Sequence, residues 1–474
     1  MSKEVEEQVN AEIELSEYEE NLAKSYLKKI DIRILPAIFL LYVASALDRG
    51  NISAAFVNGL VEDLKLSPIA QANITTLFTA FYIAFQAPSN MILKNVKPHL
   101  WFSFIAISWS IFAIAQAFAK TSLTLTIFRC LMGVFEAGLT PGIVAYLPYW
   151  YTKNEVGQRT AFFFSALFFS SVIGAPIAGG IVSSKFGSLK RYEALFLIEG
   201  SLTLAIGILM FFMIKDYPDT AKFFTPEEQE LLVRRITASQ GLASKTRTST
   251  KQTIAAFADW KVYIFSIIAF AINNCTIVMG YFGPSIFKSM GYTSSQATYM
   301  GTLPAAAGFI GALASVYTIR KFKLSDLILI NLVFATIGFS IFGYAKQNGL
   351  RLFGIFLHSL FLAGNFSLVV TWLSVNCGSV PKRMVSVAIY STINGAAGIV
   401  VPYLFTYNYA PLYVLGFSFS VGLLCLSIVL TIFLRLYFSY INRIRLGNLT
   451  DLSKMSVEDQ QAMNDNHPNF IYRL

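Results

Sequence analysis

Apolar runs of about 20 residues recur along the whole chain, each long enough to cross a hydrocarbon core of roughly 30 Å. In lipid every backbone N–H and C=O must be satisfied within the protein, which a helix achieves by itself. Twelve spans are expected. The first six lie at about 33–54, 72–93, 100–118, 123–147, 160–183 and 195–214. The second six lie at about 262–283, 297–319, 326–345, 352–374, 384–407 and 413–436, with Asn273 and Asn274 interrupting the seventh and leaving its register open. Composition agrees: of 474 residues, 55% are hydrophobic and 14% charged, against about 25% charged in soluble domains. The expected fold class is an all-α membrane protein, twelve transmembrane helices in two six-helix bundles.

The longest polar interval, about 215–258, has six spans on either side. The expected domains are therefore an N-terminal tail (1–32), a six-helix bundle (33–214), a linker (215–258), a second bundle (259–437) and a C-terminal tail (438–474). Thr225-Pro226-Glu227-Glu228 opens the linker with an N-cap Thr, a Pro at the first helical position and a capping-box Glu. The helix it starts is expected to lie amphipathically along the inner membrane surface. The stretch after Gln240 is expected to be flexible, and residues 1–20 and 450–474 to be polar tails without a fold. Basic residues near span ends, Lys24, Lys28, Lys29 and Arg33 among them, favour one side of the membrane. By the positive-inside rule both termini then face the cytoplasm.

Several alternatives fall away on composition. The formal charge of +10 comes from Lys and Arg flanking apolar runs, so anionic lipid, not nucleic acid, is the expected partner. Cys130, Cys275, Cys377 and Cys425 lie in or beside apolar runs without paired spacing, which indicates neither a disulfide framework nor a metal site. No cofactor motif and no nucleophile–base pair stands out, so no enzyme activity is expected. The Glu-rich segment ahead of the first span is unlike the basic start of a secretory signal.

Four charges sit inside spans: Asp48 and Arg49 in the first, Arg129 and Glu136 in the fourth. A charge at mid-bilayer costs roughly 2.5–3.5 kcal/mol even on the lenient insertion scale, and such residues usually mark an ion or substrate path. Arg129 and Glu136 are two helical turns apart on one face, too far to pair with each other. Their available partners are Asp48 and Arg49, and a network of all four is neutral, which limits its desolvation cost. Static ion pairs that fix helix packing are the competing explanation. Gly50, Gly133 and Gly138 are expected to leave room for a ligand beside the charges. Gly174, Pro176 and Gly179 in the fifth span find an echo in Gly395, Gly398 and Pro402 of the eleventh, as in transporters built from parallel repeats around a central site.

The order and spacing of several short motifs are specific where each alone is weak. They are Leu47-Asp48-Arg49-Gly50-Asn51, Gln86-Ala87-Pro88-Ser89-Asn90, Arg129…Gly133…Glu136-Ala137-Gly138…Pro141-Gly142, Asp216-Tyr217-Pro218-Asp219, Trp372-Leu373-Ser374-Val375-Asn376 and Gly395…Gly398. With them the chain resembles a major facilitator superfamily transporter of the anion:cation symporter family, and within it the fungal allantoate permease group. The connection LKNVKPHLW departs from the acidic, Gly-rich gating motif of the superfamily.

The resemblance implies roles. Asp48 and Glu136 would take and release the coupling proton, Arg49 would bind the anionic group of the substrate, and Arg129 would tune the nearby acid. Asn394 resembles a span-eleven amide that hydrogen-bonds substrate. Asn274, Tyr281, Asn365, Trp372 and Asn376 are further cavity candidates, although an Asn on a membrane helix is at least as often interhelical glue. His358 is expected to be packed or hydrogen-bonded, and Glu199 to sit in a structural ion pair. The implied function is import of a small organic anion (nicotinate, allantoate, pantothenate or a similar carboxylate) with protons, by a monomer in the plasma membrane. A non-transporting nutrient sensor of the same fold is the alternative.

Overall fold

The computed structural model describes residues 16–93, 96–221, 223–240, 257–319, 321–377, 380–447, 465 and 470–474. Among them eleven helices are long and apolar enough to cross a membrane. In the first half these are Glu17–Asp63, Pro98–Phe118, Ser122–Tyr149, Glu155–Ser183 and Arg191–Met213. In the second they are Trp260–Ser289, Ser294–Ser315, Leu324–Tyr344, Asn348–Val375, Val385–Leu404 and Val414–Arg445. Pro68–Leu93, 26 residues without a charge, completes the expected twelve; its Gln, Asn, Thr and Ser make it the most polar. The chain divides into two compact units, Met1–Lys245 and Thr246–Leu474. The expected flexible stretch after Gln240 lies outside the described residues.

In the first unit, the first span starts well before the expected residue 33. Ser16 and Glu19 form a reciprocal capping box, so the helix runs from Glu17 and Pro36 lies within it. Near its far end a π-helical turn, Phe56–Leu60, contains Gly59 at φ 105°, a conformation that suits glycine. The linker helix Pro226–Gln240 starts at the expected cap: the Glu228 N–H donates to Thr225 Oγ1, and the Thr225 N–H to Glu228 Oε2. It docks on the first span's extension and on the start of the fifth span. Lys29 Nζ donates to Glu228 Oε1 at 2.7 Å, Arg235 to Glu155 at 2.9 Å, and Arg234 pairs with Glu19. Glu228, Arg234 and Arg235 are thus paired with the bundle, and Leu231 and Leu232 are buried there.

The fourth span breaks at Ala137-Gly138, between Ser122–Glu136 and Leu139–Tyr146. Gly133 and Gly138 do not leave the expected room for a ligand. A Cβ on Gly133 would meet the Phe78 carbonyl oxygen at 2.7 Å, and one on Gly138 would meet Ser89 Oγ at 1.9 Å. Both glycines let the second and fourth spans touch. Of these three glycines only Gly50 has open space, with nothing within 4 Å of a Cβ placed there.

The second unit repeats this device. Gly364 of the tenth span receives Ser315 of the eighth, where a Cβ would meet Oγ at 1.7 Å. A serine entering a glycine gap thus joins spans two and four in one unit and spans eight and ten in the other, an internal repeat independent of the Gly/Pro echo in spans five and eleven. In the seventh span the helix continues through Asn273 and Asn274. It breaks later, at the π-turn Val278–Phe282 ahead of Gly283-Pro284. Proline supplies no N–H and crowds the carbonyl four residues back, which displaces the ladder there.

The C-terminal segment is not the featureless tail expected. Tyr472 is 3% exposed and stacks on Phe438 with centroids 4.4 Å apart. Asp465 pairs with Lys261 at 2.7 Å and also with Lys382. Burial opposes ionisation of Asp465, but the two ammonium groups outweigh it and hold the carboxyl below its usual range.

Candidate functional site

In the first unit the folded chain gathers all four predicted charges between the first and fourth spans. Glu136 is fully buried and accepts twice on one oxygen: from Ser45 Oγ, and from Arg49 Nε at 2.6 Å. Its other oxygen, Oε2, has no hydrogen-bond partner among the described residues. Ser45 and Arg49 are one turn apart on the first span, so both reach the carboxylate that ends the first segment of the fourth. The Arg49 guanidinium lies over the Tyr82 ring, 4.4 Å from its centroid, and its buried Nη2 has no hydrogen-bond partner among the described residues. Its side chain keeps 23% exposure. A cation held by one nitrogen and free at another suits a second anion.

Arg129 and Asp48 form the other half of the cluster. Arg129 Nη2 donates to Asn51 Oδ1 at 2.9 Å, with the guanidinium 5.8 Å from the Phe78 ring centre. Asp48 Oδ2 accepts from Trp109 Nε1 at 3.1 Å, while Oδ1 has no hydrogen-bond partner among the described residues. Sequence reasoning missed Ser45, Tyr82, Trp109 and Asn51 as members of this site. The spacing of Ser45 and Arg49 was a signal for the first. Nothing in the sequence alone reveals that Trp109 or Tyr82 turns inward.

Glu199 does not sit in the expected ion pair. It is 3% exposed, faces Asp48 and Asn51, and no cation pairs with it among the described residues. Nearly every basic residue of the unit is spent elsewhere or lies at span ends.

The second unit treats its candidates unequally. Asn274 is fully buried and donates to Ser420 Oγ at 2.7 Å, with Oδ1 unpartnered among the described residues. Asn273 donates to the Asn394 carbonyl oxygen, and the Asn394 side-chain Oδ1 is a second buried acceptor without a partner among them. Tyr281 sits half-buried in the π-turn of the seventh span. Asn365 accepts from Asn331 at 3.2 Å and so joins the ninth and tenth spans. His358 is buried and bonded through Nδ1 to the Ala335 carbonyl oxygen at 2.8 Å, a packing role.

Trp372 and Asn376 are corrected. The Trp372 indole donates to the Arg473 carbonyl oxygen, and Asn376 exchanges hydrogen bonds in both directions with the Arg473 backbone. Their polar atoms are taken by the backbone of the chain's own C-terminal segment, so they do not offer themselves to a substrate. Among the described residues no group of three or more His, Cys, Asp or Glu is arranged to hold a metal.

A helical membrane protein with two six-span units and a buried, balanced cluster of acids and guanidinium groups is a multi-pass transport protein of the secondary class. The Major Facilitator Superfamily profile matches residues 38–402, and the chain belongs to that family. It is 29% identical over 456 residues to an uncharacterized transporter of Schizosaccharomyces pombe, covering 95% of this chain and 90% of that one. It is 29% identical over 413 residues to the high-affinity nicotinic acid transporter of Saccharomyces cerevisiae, covering 87% and 77%. A putative tartrate transporter of Agrobacterium vitis matches at 32% over 285 residues, covering 60% and 65%. Among solved structures, the xylose transporter XylE from E. coli in an inward open conformation superposes with a TM-score of 0.63 at 15% identity, covering 84% of this chain and 95% of that one. That likeness is one of fold.

Proposed function

We propose that this transporter imports a small organic anion together with protons across the plasma membrane. The observation that carries the reading is Arg49: bound to Glu136 through Nε, stacked on Tyr82, and left with a buried Nη2 that has no hydrogen-bond partner among the described residues. A carboxylate arriving at Arg49 competes with Glu136 for the guanidinium. A carboxylate that loses its cation takes up a proton more readily. Anion binding and protonation are thereby coupled, and the neutralised cluster reorients at lower cost than the charged one. Where more than one proton accompanies a monovalent anion, each net positive charge moved inward draws about 2.3 kcal/mol per 100 mV from the membrane potential.

The named substrates of two relatives, nicotinic acid and tartrate, are carboxylic acids, which supports a carboxylate here. The narrower resemblance to the allantoate permease group adds allantoate and pantothenate as candidates. In the second unit, Asn274 and Asn394 are the proposed polar contacts, each with a buried oxygen that has no hydrogen-bond partner among the described residues. Uptake of labelled nicotinate, allantoate and pantothenate into cells lacking their own carriers tests the reading. Uptake should rise at acidic external pH and collapse with a protonophore. A protein that binds one of these anions but never accumulates it is instead a sensor.

A further inference from the structure

Two sequence motifs have no place in the site above: Trp372-Leu373-Ser374-Val375-Asn376 and Asp216-Tyr217-Pro218-Asp219. Both lie where the chain folds back on a broken span. The tenth span, like the fourth, is in two pieces: Ala363-Gly364 separates Asn348–Leu362 from Asn365–Val375. Past such a break the helix ladder no longer fixes the direction of the shorter piece, which can swing unless something else holds it. Trp372 and Asn376 stand at the end of that piece, at 0% and 4% exposure.

The chain beyond the twelfth span holds it. The Trp372 indole donates to the Arg473 carbonyl oxygen at 2.8 Å, and Asn376 Nδ2 donates to the same oxygen at 3.0 Å. Asn376 Oδ1 accepts from the Arg473 N–H at 2.8 Å. The neighbours of Arg473 reach other spans of the unit. The Tyr472 backbone exchanges hydrogen bonds with Asn442 of the twelfth, and the Leu324 N–H that starts the ninth donates to the Leu474 carbonyl oxygen. Asp465 pairs with Lys261 of the seventh and Lys382 of the eleventh. Residues 465 and 470–474 thus tie five spans together at one end of the unit.

The first unit does the same with the chain beyond the sixth span. Tyr146 has the position relative to Gly138 that Trp372 has relative to Gly364, and its hydroxyl donates to the Lys215 carbonyl oxygen. Asp216 accepts from the His99 N–H at the start of the third span at 3.1 Å. Phe223 stacks on Trp150 and carries Arg33 of the first span over its ring. A phenol in one unit and an indole in the other make the same contact to a main-chain oxygen. The contact, not the residue type, is what each unit requires.

We propose that Trp372 and Asn376 are positioning residues of the transport cycle: by gripping the Arg473 backbone they fix the shorter piece of the tenth span, so that the second unit reorients as one rigid body. Its place in transport rests on the reading above; the clasp itself does not.

Trp372→Phe combined with Asn376→Leu keeps the apolar bulk and removes the three hydrogen bonds to Arg473. In purified protein in lipid nanodiscs, hydrogen exchange at residues 365–375 and 470–474 should then quicken at least about tenfold, with residues 139–146 unchanged. Exchange as slow as in the unaltered protein overturns the clasp. Should the double variant not fold, Trp372→Phe alone, which loses one hydrogen bond and keeps a ring, should quicken the same residues about threefold or more, and no change overturns it equally. Uptake into vesicles then tests the role. The maximal rate per folded molecule should fall about tenfold while anion affinity, set by Arg49 in the other unit, stays within about twofold. An unchanged rate alongside faster exchange makes the clasp a support only and overturns the positioning role. Substrate added to the unaltered protein should leave exchange at 470–474 slow; a rise means that the segment lets go during the cycle and overturns rigid-body motion. Should the unaltered protein take up none of nicotinate, allantoate or pantothenate, the carboxylate reading fails, while exchange still decides the clasp.

Discussion

Arg49→Lys isolates geometry from charge, because lysine keeps the positive charge and changes only how it is presented. The guanidinium engages Glu136 through Nε at 2.6 Å, lies 4.4 Å over Tyr82 and has no hydrogen-bond partner for Nη2 among the described residues. An ammonium is one nitrogen on a flexible stem, and it cannot offer an incoming carboxylate the planar fork of N–H groups that lets a guanidinium compete with Glu136 for it. The loss amounts to about one hydrogen bond to a charged group, roughly 1.5–3 kcal/mol. At 23% side-chain exposure solvent does not screen most of this away. Anion affinity should therefore weaken about 10- to 150-fold. Equilibrium binding of the labelled substrate to purified protein measures it, with the KM of uptake as a cross-check. An affinity within threefold of the unaltered protein would refute fork recognition by Arg49 and move the anion elsewhere in the cluster.

Glu136→Gln should abolish accumulation driven by a pH gradient, measured in vesicles with an imposed gradient; full accumulation would remove Glu136 from coupling. Gly138→Ala forces a Cβ to 1.9 Å from Ser89 Oγ and should lower the yield of folded protein through overpacking of about 1–3 kcal/mol. Adding Ser89→Ala should restore part of that yield on size-exclusion profiles, and no recovery would deny the contact. Tyr472→Ala removes a buried ring stacked on Phe438 and should cost about 3–5 kcal/mol, read as a lower Tm with protection from hydrogen exchange lost at residues 470–474. Asp465, held below its ordinary range by Lys261 and Lys382, contributes stability that is present above about pH 3.9, the unfolded value. That stability is lost as pH falls through the lower folded value, so protease sensitivity of the C-terminal segment should appear only in strong acid. Release already near pH 5 would contradict the ion pairs.

The glycine and serine positions separate what each level of structure decides. Gly133 and Gly138 are visible in the sequence as small residues beside charges, but a glycine leaves a gap without saying what fills it. Packing decided that: Phe78 and Ser89 occupy both, and the open space fell to Gly50. The same limit applies to Trp372 and Asn376, whose partners come from Arg473, about a hundred residues further along the chain.

Sequence by itself determined the membrane class, the twelve spans, the linker cap at Thr225 and the four charges of the cluster. Each of these follows from local chemistry, namely hydrocarbon length, capping geometry or the cost of a buried charge. Tertiary structure alone decided the pairings. Which oxygen of Glu136 meets Arg49, which indole reaches Asp48, and that Glu199 faces an acid instead of a cation all depend on helix rotations set by interhelical packing, and periodicity within one helix carries no record of its neighbour.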